Sequence, residues 1–111
     1  MDTQPVHLLR HAMRAYQLRT EALTSNLANM DTPGYRRLHV SFEEALQDAR
    51  NGLGGTEPHR VEASMHVGDG PPILEDEMMD LADTQMRTQL GARALREHFT
   101  MLRTGITGRT G

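Results

Sequence analysis

The chain has 111 residues, a formal net charge of -3, 4% aromatic residues, and neither Cys, Lys nor Trp. One domain, 1–111, is the ceiling at this length, and its core is small. The missing Cys and Lys exclude disulfides, thiolate metal sites, thiol and Schiff-base catalysis and a phosphate-loop lysine, and a net acidic chain lacks the footprint of a general nucleic-acid binder.

The opening residues carry no basic run, and Leu8-Leu9 is broken off by Arg10 and His11, so no cleavable secretion signal is expected. No stretch approaches the roughly 20 apolar residues that span a membrane, so the chain is not expected to cross one. The first element predicted is a long helix over 4–31. Val6, Leu9, Met13, Tyr16, Thr20, Leu23, Leu27 and Met30 recur at alternating spacings of three and four, a seam interrupted only by Thr20. Pro5 is tolerated in the first turn. Pro33 pushes Thr32 out of helical geometry. Asn29 suits a left-handed helix stop, and Pro33-Gly34 suits the centre of a type II turn.

Residues 32–73 read as a turn and a flexible insert. Leu38, Val40 and Phe42 alternate with polar residues, as in a short extended segment. Ser41 to Glu44 fits a capping box for a short helix over 42–50, ended by Asn51-Gly52. Gly52, Gly54, Gly55, Pro58, Gly68, Gly70, Pro71 and Pro72 then mark a mobile loop, in which Val61, Ala63, Met65 and Val67 could form one weak strand.

A second long helix is predicted over 74–106. Its seam is Leu74, Met78, Leu81, Gln85, Thr88, Ala92, Leu95, Phe99, Leu102 and Ile106. Glu75, Asp76 and Glu77 at its start and Arg93, Arg96 and Arg103 in its later half complement the helix dipole. Gly105 and Gly108 mark a fraying end. Gly91 mid-helix costs about 1 kcal/mol against Ala, which fits either close approach of another helix or a weak spot. A second stripe, Met79, Ala82, Met86 and Leu90, makes this helix apolar on two faces, as in helices covered on both. The fold expected is mainly α, with two long amphipathic helices pairing as an antiparallel coiled coil. An irregular Gly/Pro-rich insert with a short helix or strand joins them.

No constellation points to catalysis or to a cofactor. His7 and His11 share a helical spacing that suits one metal ion, but no third ligand stands nearby, and a solvated face explains them. The carboxylates from Glu75 to Asp83 lack a calcium loop and read as a solvated, acidic helix start. Ser25, Ser41 and Ser64 lack a nucleophile-elbow context.

The most specific string is Asn26-Leu27-Ala28-Asn29-Met30-Asp31-Thr32-Pro33-Gly34-Tyr35, preceded by Leu23-Thr24-Ser25 and followed by Arg36. It resembles the N-terminal signature of flagellar rod and hook proteins, in which a helix carrying Asn-Leu-Ala-Asn runs into Thr-Pro-Gly-Tyr and a basic residue. Glu77-Met78-Met79, Leu81-Ala82, Phe99 to Arg103, Ile106 and Gly108-Arg109 look like the C-terminal region of the short, proximal rod members. Gly105 departs from the Ala expected there, and the resemblance covers both helical ends and leaves the Gly/Pro-rich middle unassigned.

The resemblance implies a structural subunit of the proximal rod in the flagellar basal body, exported by the type III apparatus and coupling torque through interlocked helices. The partners it implies are other proximal and distal rod proteins, the adaptor between rod and membrane ring, the export apparatus and copies of the chain itself. From the two helical stripes, subunit contacts are expected at Leu23, Leu27, Met79, Met86, Leu95, Phe99 and Leu102. The alternative is a cytoplasmic helical adaptor or export chaperone, which would use the same amphipathic helices but has no evident reason to carry the Asn26–Tyr35 string.

Overall fold

Two helices dominate the chain. The computed structural model describes residues 4–53 and 55–107: α1 (Gln4–Ala28), β1 (Leu38–Ser41), α2 (Glu43–Arg50), a 3-10 turn (Pro58–Arg60), β2 (Ser64–Val67) and α3 (Leu74–Thr107). The 34 residues of α3 make a rod roughly 50 Å long at about 1.5 Å per residue. The radius of gyration is 17.5 Å and the extents are 64 × 31 × 14 Å. A globular chain of this length has a radius near 13 Å, so this one is a thin slab that buries little of itself.

α1 and α3 run antiparallel. Asn26, near the end of α1, meets Glu77 at the start of α3, while Leu9 and Met13 meet Gly91 further along. On α1 the predicted seam holds: Leu23 is buried and Leu9, Met13, Tyr16, Thr20 and Leu27 are half-buried.

On α3 the seam is turned by one residue from the expected register. Glu77, Thr84 and Gly91 are buried and alternate with half-buried Leu81, Thr88 and Leu95. Leu74, Met78 and Phe99, expected in the seam, are 48%, 58% and 47% exposed. The cause is close approach at Gly91, where a Cβ would lie 2.5 Å from Met13 Sδ. Of the two readings of Gly91, close helix contact is the one observed. Polar residues tolerate this interface because their hydroxyls bond back to carbonyls one turn earlier. Thr84 Oγ1 donates to Asp80 O at 2.7 Å, Thr88 Oγ1 to Thr84 O at 2.7 Å, and Thr20 Oγ1 to Tyr16 O at 2.9 Å.

The insert packs on another face of α1. Ala15 meets Phe42, Ala49 and Val61, with Ala12, Ala45, Leu46 and Ala63 around them. Small side chains let the insert lie close but bury little apolar area, so this core stabilises modestly. α1 is thus covered on two sides, whereas α3 packs on α1 and leaves its opposite face open.

The insert is more ordered than its glycines suggest. β1 and β2 pair antiparallel, with Leu38 opposite Val67 and Ser41 opposite Ser64. The expected capping box does not form. The residue preceding α2 is Phe42, no side chain caps it, and Phe42 is itself in the core. Ser41 Oγ lies instead 3.0 Å from Ser64 Oγ and 3.0 Å from His66 Nε2, and Glu44 leaves the cap to point outward. Gly54, Gly108, Arg109 and the side chain of Ile106, named above, lie outside the described residues.

Candidate functional site

The helix-to-turn string is built from short-range bonds first. α1 ends at Ala28, and the Asn29 N–H still reaches Ser25 O at 3.1 Å. Asn29 is not left-handed, as expected from its type; among described residues only glycines have positive φ. Its side chain closes the helix instead. Nδ2 donates to Ser25 O at 2.9 Å, and Oδ1 accepts from Thr32 Oγ1 at 3.1 Å. Gly34 has φ 76° and the Tyr35 N–H donates to Thr32 O at 3.2 Å, the type II turn read from Pro33-Gly34. That turn reverses the chain and lays Tyr35 back on α1.

There it meets Asn26, which is fully buried. Asn26 Nδ2 donates to Leu38 O at 2.8 Å and to Glu77 Oε2 at 2.9 Å. Its Oδ1 accepts from Leu38 N–H at 2.8 Å and from Tyr35 O–H at 3.1 Å. Both donors and both lone pairs of the amide are therefore used. With the Tyr35 proton committed to Asn26, Ser25 Oγ donates to Tyr35 Oη at 2.8 Å. One side chain joins the end of α1, the turn, β1 and α3, in place of a neighbouring strand for Leu38.

Glu77 completes this staple and corrects the reading of a solvated helix start: its side chain has no exposure. Its second oxygen, Oε1, accepts from Arg37 Nε, and Arg37 Nη2 reaches Asp80 Oδ2 at 3.3 Å. The Arg37 backbone is fixed by Gly68 N–H at 2.7 Å and Gly70 O at 2.8 Å. A buried carboxylate is tolerable only when paired and hydrogen-bonded, and both conditions are met. No buried side-chain polar atom among the described residues lacks a partner. Arg37 and Glu77 were missed because they stand 40 residues apart. The available signal was position: Glu77 shares the face of Leu81, Thr84 and Thr88.

A second charge cluster lies further along. The Arg19 guanidinium grips both oxygens of Glu43, with Nη1 to Oε1 at 2.8 Å. Arg87 donates to Asp83 Oδ2 at 2.8 Å and stands 3.9 Å from Glu43. Arg19 holds the Glu43 carboxyl below its ordinary range, and Glu43 in turn raises Arg19. Asp83 raises Arg87. These pairs clamp α2 to the helix pair.

The open face of α3 is apolar. Met79, Met86, Leu90 and Met101 are 70%, 54%, 55% and 73% exposed. Of the residues expected at subunit contacts, Met79, Met86 and Phe99 are on the surface, while Leu27, Leu95 and Leu102 are half-buried. Leu23 is enclosed within the chain and offers no surface to a neighbour. Ala28, Thr32, Pro33 and Gly34 of the string are exposed. His7 and His11 line a groove with Arg10, Arg14 and Glu62. Among the described residues no three His, Asp or Glu side chains are grouped to hold a metal, and no helix is long and apolar enough to cross a membrane.

The family model described as flagella basal body rod protein matches residues 9–36, the stretch that runs through Asn26 and the turn to Tyr35. The chain is 27% identical over 117 aligned positions to the flagellar basal body rod protein FlgB of Bacillus subtilis (strain 168), covering 90% of this chain and 91% of that one. The chain is thus similar to flagellar basal body rod proteins, through the family stretch and along nearly its whole length. A second rod relative, FlgB of Aeromonas hydrophila, is 38% identical over 45 residues, which is 40% of this chain and 34% of the relative. In rod-protein terms the family stretch supplies Asn26 and Tyr35 of the staple, and Arg37, Leu38 and Glu77 lie beyond it.

Proposed function

We propose that the chain is a structural subunit of the flagellar basal body rod, in its proximal part, with no catalytic role. The observation that carries this is the coincidence of the family match with the staple. The string that marks rod proteins is the one that fixes how the chain leaves α1 and returns to α3. The likeness to the Bacillus subtilis rod protein over nearly the whole of both chains supports it.

The mechanism is mechanical. α1 and α3 pair as a short antiparallel coiled coil, an arrangement supported by the alternating seam on both helices. Copies of the chain and other rod proteins, proximal and distal, cover the bare face of α3, and torque passes through the interlocked helices. Met79, Met86 and Phe99 are the contact residues. Contacts with the rod–membrane ring adaptor and passage through the export apparatus belong to the same reading. The adaptor or chaperone alternative is set aside, because the family match falls on the string that such a protein has no reason to carry.

The test is an immunoblot for the chain in purified hook–basal bodies of the source bacterium. A stoichiometric band is expected. A chain found only in the soluble cytoplasm overturns the reading. Phe99→Asp is expected to leave a soluble chain that no longer enters the basal body.

A further inference from the structure

α3 carries its charge in two blocks. Residues 74–83 hold five carboxylates (Glu75, Asp76, Glu77, Asp80 and Asp83) and no cation. From Arg87 onward, Arg93, Arg96 and Arg103 follow with Glu97 as the single carboxylate. The helix dipole does not account for this. Its influence is confined to the first and last turn, and Asp83, Arg93 and Arg96 lie well inside. Internal pairing does not account for it either. Asp80 and Asp83 pair with Arg37 and Arg87, but Glu75, Asp76, Arg93 and Arg96 are exposed and have no ion-pair partner among the described residues.

The antiparallel partner sharpens the division. Arg10 and Arg14 of α1 lie toward the basic half of α3, beside Met13 and Gly91, and on the acidic half Arg37 is taken up by Glu77 and Asp80, leaving Glu75 and Asp76 free of it. Glu62 of the insert sits in the groove beside Arg10 and Arg14, so the clearest basic surface is that of α3 itself. About 30 Å of helix separates Asp76 from Arg96, several Debye lengths at physiological salt. The two ends therefore act on their surroundings independently. Each also bears uncovered apolar side chains: Met78 and Met79 at the acidic end, Phe99 and Met101 at the basic end. An apolar centre with a charged rim is the anatomy of a protein contact.

We propose that the basic half of α3 of one copy docks on the acidic half of α3 of the next, so that copies of this chain associate head to tail. Matched at both halves at once, two antiparallel α3 helices would close on a dimer; matched at one half each, the contact is heterologous and propagates, and the size of the assembly separates the two. This deepens the rod-subunit reading by naming the partner of the open face and the polarity of the contact.

The test is sedimentation velocity of the purified full-length chain at about 0.01 M and about 1 M salt, where the Debye length is roughly 30 and 3 Å. Species larger than dimer are expected at low salt and monomer at high salt. Glu75→Arg/Asp76→Arg and Arg93→Glu/Arg96→Glu, each alone, are expected to weaken low-salt association at least tenfold. Their equimolar mixture is expected to restore it, because unlike ends then alternate, a result that two misfolded variants cannot give. Glu75→Gln/Asp76→Asn, which keeps side-chain shape, is expected to give a smaller loss. Monomer at low salt, association indifferent to salt, assembly that stops at a dimer, or a mixture no better than its components overturns the proposal. Such a failure leaves the basal-body blot, and with it the rod reading, untouched.

Discussion

The two faces of α3 are an inversion of the usual helix. Facing α1 it buries a carboxylate, a threonine and a glycine, Glu77, Thr84 and Gly91; facing outward it exposes Met79, Met86, Leu90 and Met101. A helix evolved to stabilise a lone subunit would put these the other way round. The inner face is held by satisfied hydrogen bonds and close backbone approach, which fix one register. Among the described residues nothing covers the outer face. Its methionines are unbranched and adaptable, suited to contacts that differ from one neighbour to the next. The fold thus uses polar bonds for internal geometry and leaves apolar surface of α3 uncovered.

The comparison breaks most severely at Asn26. Asn26→Ala removes four hydrogen bonds, orphans the Leu38 N–H and C=O, and leaves Glu77 with one partner. A loss of about 3–4 kcal/mol is expected in urea unfolding, because buried polar groups would be left unpaired. A loss below about 1 kcal/mol would mean that the inner face is not specified by this staple.

Gly91→Val probes the close approach. The added Cβ meets Met13 Sδ at 2.5 Å, and overpacking of this kind costs about 1–3 kcal/mol. Met13→Ala in the same chain is expected to recover part of that loss. Strict additivity of the two changes would show that the helices do not meet there.

The inner face is also the more legible of the two in some respects and the less in others. The Pro33-Gly34 turn and the α1 seam follow from spacing and backbone chemistry, which act over a few residues, although α1 ends at Ala28, short of the expected 31. The α3 register does not. Periodicity counts apolar side chains, and the residues that turn inward are Glu77, Thr84 and Gly91. Burial of Glu77 depends on Asn26, 51 residues away, and on Arg37. The capping box failed for a related reason, since Ser41 is taken by Ser64 and His66 across the hairpin. The outer stripe was legible because it is a plain excess of apolar residues, left uncovered among the described residues.

A smaller effect sharpens the role of the second clamp. Arg19 holds the Glu43 pKa below its ordinary value of 4.5. The pair therefore contributes fully above that ordinary value, and the contribution fades as the pH falls through the lower, folded-state pKa. For a partly exposed pair the amount is about 0.5 kcal/mol. Glu43→Gln is expected to lower stability by that amount at neutral pH and to match the parent chain in acid. Equal loss at both pH values would assign Glu43 a packing role instead.

The smallest effect on folding carries the largest on assembly. Met79→Ser/Met86→Ser changes only side chains that touch solvent in the lone subunit, so unfolding is expected within about 0.5 kcal/mol of the parent. The most direct test of the division between the two faces is to express this double variant in the source bacterium and quantify it in purified hook–basal bodies. The account predicts a folded chain that is absent from them and cells that do not swim. Normal incorporation with normal swimming would contradict it, because the outer face of α3 would then have no neighbour to bind.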